Sequence, residues 1–327
     1  MSRSTPPRRP LRKRNTRRRA RLWFGAFGIA GGLLAGGMLL PRWLFPPARP
    51  AHGMAVAQAA AGQAQPAVAT PPAATPETMQ RLQEELDAMA AEAPARDVGI
   101  YVQDVETGLS AGVNPNRLFI AASLIKLPVM AAAFEHWEQR PERKTKNALT
   151  WMEWMMTVSD NASTDRLIDM VGGPEIVTAG CAERGWDNLK VRHAIINHRG
   201  RRGSNECTAR EVAEFLVALD KRELVSPEAD QEMWEIMTRS RKLARIPAGI
   251  PKLPGVEVGN KTGTLGYVLH DAAIVRTPRV RYAICILINR QRSEYHGNRF
   301  CRDVSRKVFE LLHGAEESAS LEDAAAL

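Results

Sequence analysis

Two kinds of hydrophobic spacing divide this chain, and their order leaves few architectures open. Alternation with a period of two occurs near residue 100, in Val98-Gly-Ile-Tyr-Val-Gln-Asp104 and Leu109 to Val113, joined by a tight turn at Glu106-Thr-Gly108. It returns in Val256 to Gly259, Tyr267 to Val275 and Val280 to Ile288. Between and around these stretches the apolar residues recur at helical spacing. A first helix starts at Thr75-Pro76 and carries Met79, Leu82, Leu86 and Met89. Further helices are predicted from Ser123 to about His136, over Leu149 to Val158, over Ala162 to Val171, over 175–184, after the capping box Thr208-Ala-Arg-Glu211, after Ser226-Pro227, and over Phe300 to Leu312. Residues 138–148 and 186–206 read as loops. The order is helix, strand pair, helices, strand triplet, helix. It predicts an α/β protein of the α+β kind, with an antiparallel sheet built from both chain ends and an all-helical subdomain inserted between them.

The residues before this domain have a different character. Residues 1–21 hold ten Lys/Arg, and Leu22 to Leu40 holds no charge at all. As a helix that run spans roughly 28 Å, about one bilayer core. The basic cluster before it predicts a cytoplasmic N-terminal segment (1–21), a transmembrane signal-anchor (22–40) and an exported remainder. Cleavage of a signal peptide near Ala55-Val-Ala57 is the alternative, which makes the protein secreted. Residues 41–75 are mostly Ala, Pro, Gln, Gly and Thr, and read as a linker. A globular domain is then expected over 76–315 and a flexible tail over 316–327.

Charge supports an exported domain without nucleic-acid function. Residues 1–75 hold 12 basic residues and no acid, so the remaining 33 basic residues face 36 acidic ones. The basic pI belongs to the N-terminal segment, and no nucleic-acid partner is expected. Four cysteines, Cys181, Cys207, Cys285 and Cys301, allow three pairings in an oxidising compartment. The pairs nearest in sequence are Cys181–Cys207 and Cys285–Cys301; four small buried thiols are the alternative. Their spacing does not suggest a metal site.

Three short motifs carry chemistry. Ser123-x-x-Lys126 places a hydroxyl and an amine one helical turn apart among apolar neighbours. Serine is a weak nucleophile without a base, and a buried lysine with a lowered pKa supplies one. Ser159-Asp160-Asn161 and Lys261-Thr262-Gly263 follow in order. Each alone is a common turn or strand-end composition. Together, on a matching order of elements, they point to one site.

With these motifs the chain, from about residue 76 to 313, resembles the class A β-lactamase-related serine hydrolases of the penicillin-recognising group. The stretches that carry the likeness are Ala121 to Val129, Val158 to Ala162, Asn205 to Leu216, Gly259 to Thr264 and Asp271 to Val275. The resemblance implies a β-lactamase/transpeptidase-like fold. It implies that Ser123 is acylated at an amide carbonyl and that Lys126 takes its proton or holds the network that does. Ser159 would relay a proton to the leaving nitrogen, and Asn161 would bind the substrate amide. Lys261, Thr262 and Gly263 would bind its carboxylate, and the N–H groups of Ser123 and Thr264 would form the oxyanion hole. No cofactor or metal is implied.

The pattern also breaks. Class A enzymes carry a glutamate in the loop before the Thr208 helix, whereas Val191 to Asn205 contains no acid. Glu206 comes too late, and reads as a capping or surface residue. His193 and His198 are the candidate bases on that loop, each with a surface role as the alternative. His270 stands where many class A enzymes have an arginine. The expected protein is therefore a monomeric, membrane-tethered serine hydrolase of the periplasm, without a cofactor. Its expected substrates are β-lactams or D-alanyl peptidoglycan peptides. The alternative is a penicillin-binding or wall-sensing module with little turnover.

Overall fold

The computed structural model describes residues 74–196 and 203–314. The expected anchor (22–40), nearly all of the linker, the tail (316–327) and His198 lie outside these residues. Among the described residues no helix is long and apolar enough to cross a membrane.

The elements follow the predicted order. Helix α1 (Pro76–Ala91) precedes strands β1 (Ala95–Asp104) and β2 (Ser110–Val113). A short ribbon strand β3 (Phe119–Ile120) and a 3-10 turn (Ala122–Ile125) lead into α2 (Lys126–Gln139). The helical block continues with α3 (Lys146–Thr157), α4 (Asn161–Val171), α5 (Pro174–Glu183), strand β4 (Glu206–Cys207), α6 (Ala209–Asp220), α7 (Pro227–Thr238) and the single turn α8 (Ile246–Gly249). Strands β5 (Glu257–Leu265), β6 (Val268–Arg276) and β7 (Arg281–Gln291) close the sheet, and α9 (Glu294–His313) ends the domain.

The five-stranded sheet has the order β2-β1-β7-β6-β5 and is antiparallel throughout. Strand β1 from one chain end lies beside β7 from the other, with Tyr101 opposite Cys285. Both faces are buried, because helices cover both. On β7, Ile284, Ile286 and Ile288 join the cluster under α1 and α9, and Ala283, Cys285 and Leu287 join the one under the helical block. A strand buried on both sides reads as a nearly continuous apolar run, as Tyr282 to Ile288 does. Helix α2 is buried over almost its whole circumference, which explains its even distribution of apolar residues.

Several boundaries differ from the sequence reading. The motif Asn260 to Gly263 does not follow the first strand of the triplet but lies inside it, in β5, with Lys261 opposite Ala272 and Gly263 opposite His270. Ser123 sits in the 3-10 turn and not in α2 itself. Residues from Lys146 onward are helical, because Thr145 caps α3 by accepting from Ala148 N. Helix α9 begins six residues before Phe300, capped by Ser293. The capping box at Thr208 is half made. Thr208 Oγ1 accepts from Glu211 N, but the Glu211 carboxylate accepts instead from the N–H and side-chain amide of Asn188, tying the loop after α5 to α6.

The four cysteines are free and buried. The expected pair Cys285–Cys301 is split by the sheet: Cys285 faces the helical block and Cys301 the opposite layer. Burial pushes the Cys181 thiol up to about 12 and raises the other three as well.

Candidate active site

The first wall of the site is the strap that carries Ser123. It is tied down on both sides before it turns. Phe119 and Ile120 pair with β4, and Ala121 N donates to Asn205 O at 2.9 Å. Beneath it His270 is fully buried on β6. Its Nδ1 accepts from Ile288 N at 3.0 Å, so Nε2 carries the proton and donates to Ile120 O at 2.8 Å. Burial lowers the imidazole to about pH 4 and keeps it neutral. His270 therefore supports the strap and does not line the cleft. Ala122, the first residue of the 3-10 turn, adopts a left-handed φ of +47°, and Ser123 follows it at the cleft.

Lys126 stands at the start of α2, fully buried. Its ammonium donates to Ser159 O at 2.6 Å, Asn161 Oδ1 at 2.9 Å and Ser159 Oγ at 3.0 Å. All three N–H donors are used, and among the described residues none goes to Ser123. Burial lowers the amine to about 8, against the opposing pull of Asp160 and Asp165. An amine with that pKa is partly neutral near pH 7, and the neutral form exchanges one of these contacts for a lone pair. Ser159 is shaped for the role: its φ of +66° turns both its carbonyl and its hydroxyl toward Lys126. Asp160 takes no part in the cleft; it caps α4 by accepting from Ser163 N.

The opposite wall is β5. Lys261, buried, donates to Ser159 Oγ at 2.9 Å. One hydroxyl thus faces two amines, and as an acceptor from both it turns its own proton elsewhere. Burial first, then the proximity of Lys126, lowers Lys261 well below the usual lysine value, with buried Asp271 opposing. Gly263 is needed for contact between the walls: a Cβ there would stand 3.2 Å from Ala121 O and 3.4 Å from the Ala122 Cβ. Thr262 and Thr264 line the cleft with Ser123.

Sequence reasoning missed Arg245. It lies in a basic run, Arg239 to Arg245, with no motif around it. Its guanidinium is buried and donates to Thr264 Oγ1, His270 O, Gly263 O and Asn298 Oδ1. It places a permanent cation on the same lobe as Thr262 and Thr264, on a chain that has His270 where many class A enzymes have an arginine. Asp271 was also unassigned. Its carboxylate accepts from Asn260 Nδ2 and Ile246 N, and burial raises it to about 6.

The cleft has two lobes that meet at Ser123. One, of about 370 Å³, is lined by Ser159, Asn161, Thr262, Thr264, Lys242 and Arg245 among others, and is strongly cationic. The second, of about 300 Å³, includes Ile120, Ile195 and Leu265 and is more apolar, with His193 on its wall. The loop beside it is clamped at two points. Asn205 Oδ1 accepts from the N–H groups of Arg192 and His193, and Asp165 from those of Ile195 and Ile196. His193 Nδ1 lies 2.8 Å from Ala194 O. Glu206 pairs with Arg192, the surface role expected of it. Such a site has Ser123 on the cleft lining, a buried amine in contact with a second serine hydroxyl, and cations for an anionic ligand. It is equipped for acyl transfer through a covalent ester.

The chain matches the family described as "Beta-lactamase enzyme family" over residues 81–148 and 137–312. No curated protein gives a significant match. Among solved structures, PBP-A is similar at 26% identity and a TM-score of 0.62, covering 74% of this chain and 98% of that one. A mutant of PBP-A, solved as an acyl-enzyme complex with penicillin G, is similar at 26% identity and TM-score 0.63, covering 71% of this chain and 96% of that one. A beta-lactamase from Sphaerobacter thermophilus shares the fold at 22% identity and TM-score 0.64, over 70% of this chain and 97% of that one.

Proposed function

The chain belongs to the beta-lactamase enzyme family, and from that premise we propose that it is a serine acyl-transfer enzyme acting on β-lactams or D-alanyl peptidoglycan peptides. The observation that carries this reading is the meeting of Lys126 and Lys261 on the single hydroxyl of Ser159, in the cleft that Ser123 lines. Neutral Lys126 takes the Ser123 proton as Oγ bonds to the amide carbonyl carbon. The negative charge that develops on the carbonyl oxygen is met by the backbone N–H groups of Ser123 and Thr264. The C–N bond then breaks, and the proton reaches the leaving nitrogen through Ser159. Asn161 holds the substrate's amide arm. Lys261, Thr262 and Arg245 hold its carboxylate, with Gly263 keeping β5 close enough to do so. Water later cleaves the ester at Ser123.

A second reading is favoured by one observation. The loop from Val191 to Asn205 offers no carboxylate to activate that water, so the ester is long-lived and the protein acts as a penicillin binder with little turnover. PBP-A, whose mutant was captured as a penicillin G ester, is a neighbour in keeping with it. Both readings place the domain outside the cytoplasmic membrane, held by residues 22–40 as an uncleaved single-pass anchor. Secretion after cleavage is the alternative.

Fluorescent penicillin tests the proposal. The expected result is covalent label on the wild type and none on Ser123→Ala. Rapid loss of label identifies a hydrolase and slow loss a binder. No label, together with no hydrolysis of a chromogenic cephalosporin, overturns the acyl-transfer reading.

A further inference from the structure

The cationic lobe contains one acid that the acyl-transfer chemistry does not use. Glu294 opens α9 and lines the same lobe of about 370 Å³ as Ser123, Thr264, Lys242 and Arg245. Among the described residues its carboxylate has no hydrogen-bond or ion-pair partner. A carboxylate in the first turn of a helix is favoured by the helix dipole, so its presence alone means little. Its placement means more. Asn298 lies four residues on, on the same helix face, and accepts from Arg245 Nε at 2.8 Å. Glu294 therefore stands about one helical turn, roughly 5–6 Å, from the group that touches the arginine. The lobe thus has two poles. Lys261, Thr262, Thr264 and Arg245 make the anion-binding pole, and Glu294 makes a cation-binding pole one turn away.

A simple carboxylate fills only the first pole. A residue with a free carboxylate and a basic side chain fills both. We propose that Glu294 is a specificity-determining residue that binds the cationic side chain of the substrate's carboxy-terminal, leaving residue. The preferred substrates are then peptides ending in a D-amino acid with an ammonium or guanidinium side chain. This rests on the acyl-transfer reading for which side of the amide enters the lobe.

The test uses full-length protein carrying Ser123→Ala, so that binding is measured without reaction. Three N-acetyl-D-alanyl dipeptides ending in D-lysine, D-alanine or D-glutamate are titrated by calorimetry. The D-lysine peptide is expected to bind about three- to fivefold more tightly than the D-alanine peptide, the size of an exposed ion pair. D-Glutamate should bind most weakly. Adding Glu294→Gln should abolish the order, and Glu294→Lys should reverse it. Added salt at about 0.5 M should shrink the preference in the parent protein. Equal affinities in the parent, a preference that survives Glu294→Gln, or no measurable binding of any peptide overturns the proposal. So does a Glu294→Gln protein that only melts earlier with its preference intact, because Glu294 would then serve the helix alone. Penicillin labelling of the Ser123-intact protein is read separately. Failure there removes the acyl-transfer reading while the charge preference stands or falls on its own data.

Discussion

Burial moves the Lys126 ammonium toward the neutral form that the proposed role as base requires. This amine, lowered to about 8, is the group expected to set the pH dependence of acylation. The neutral form is the active one, so labelling by fluorescent penicillin should accelerate as pH rises and level off above a midpoint near 8. Lys126→Ala should cut the rate by about 10³-fold, at the scale of losing a general base; a rate that is flat from pH 6 to 9.5 removes Lys126 from the role. Arg245 should matter for binding more than for the bond-breaking step. Arg245→Gln is expected to raise the penicillin concentration needed for half-maximal labelling about tenfold or more, the worth of a charge-assisted contact, with a smaller change in the maximal rate. The two residues differ in how visible they were in the sequence. Ser123 and Lys126, or Lys261 to Gly263, are neighbours whose spacing is itself a signal. Arg245 makes its contacts with Gly263, Thr264, His270 and Asn298, residues 18 to 53 positions away, and nothing local marks it. The support that His270 gives is equally hidden in the sequence, because its two ring nitrogens are spent on the distant Ile120 and Ile288.

At the scale of elements, the strands and helices were found where one face is apolar and lost where function makes a segment polar. Strand β5 was cut short at Gly259 because Asn260, Lys261 and Thr262 look like loop residues, yet their backbones continue the ladder with β6. The start of α9 was lost for the same reason, since its first turn holds Glu294, Tyr295 and His296. In the loop before β4 the described residues hold the Lys190–Glu206 bridge, and what shapes them was hidden. Asp165 reaches across 30 residues to bind Ile195 N and Ile196 N. Asp165→Ala removes two charge-assisted acceptors and should cost about 2–3 kcal/mol in urea unfolding. It should also loosen the wall beside Ser123. The wild type and the variant should then differ in the proteolysis of residues 191–205, and equal protection would show that the clamp is dispensable.

The described domain is a sheet completed only when its two ends meet, with β1 seated beside β7 and helices on both faces. Strand β6 of that sheet carries two buried titrating groups with opposite effects. His270 is lowered to about 4, so its contribution to stability is complete above the unfolded value near 6.5 and is lost as pH falls from 6.5 to 4. Asp271 is raised to about 6, so its burial favours the protonated form and costs stability as pH rises from 3.8 to 6. The wild type should therefore lose roughly 3 kcal/mol more than His270→Gln between pH 7 and pH 4, by urea unfolding at each pH; parallel curves would mean that His270 titrates as a free imidazole. At the same scale, deletion of residues 1–40 should move the protein from the membrane fraction to the soluble one. Soluble protein that has lost its N-terminal residues would instead point to a cleaved leader. The free cysteines also have a consequence for the whole molecule. Because Cys207, Cys285 and Cys301 are sealed within the two packed layers, an alkylating reagent should reach them only when the globule comes apart. Their rate of alkylation in the native protein is thus an internal clock for global opening, needing no probe to be attached, and maturation should require no oxidase or disulfide isomerase even in an oxidising compartment.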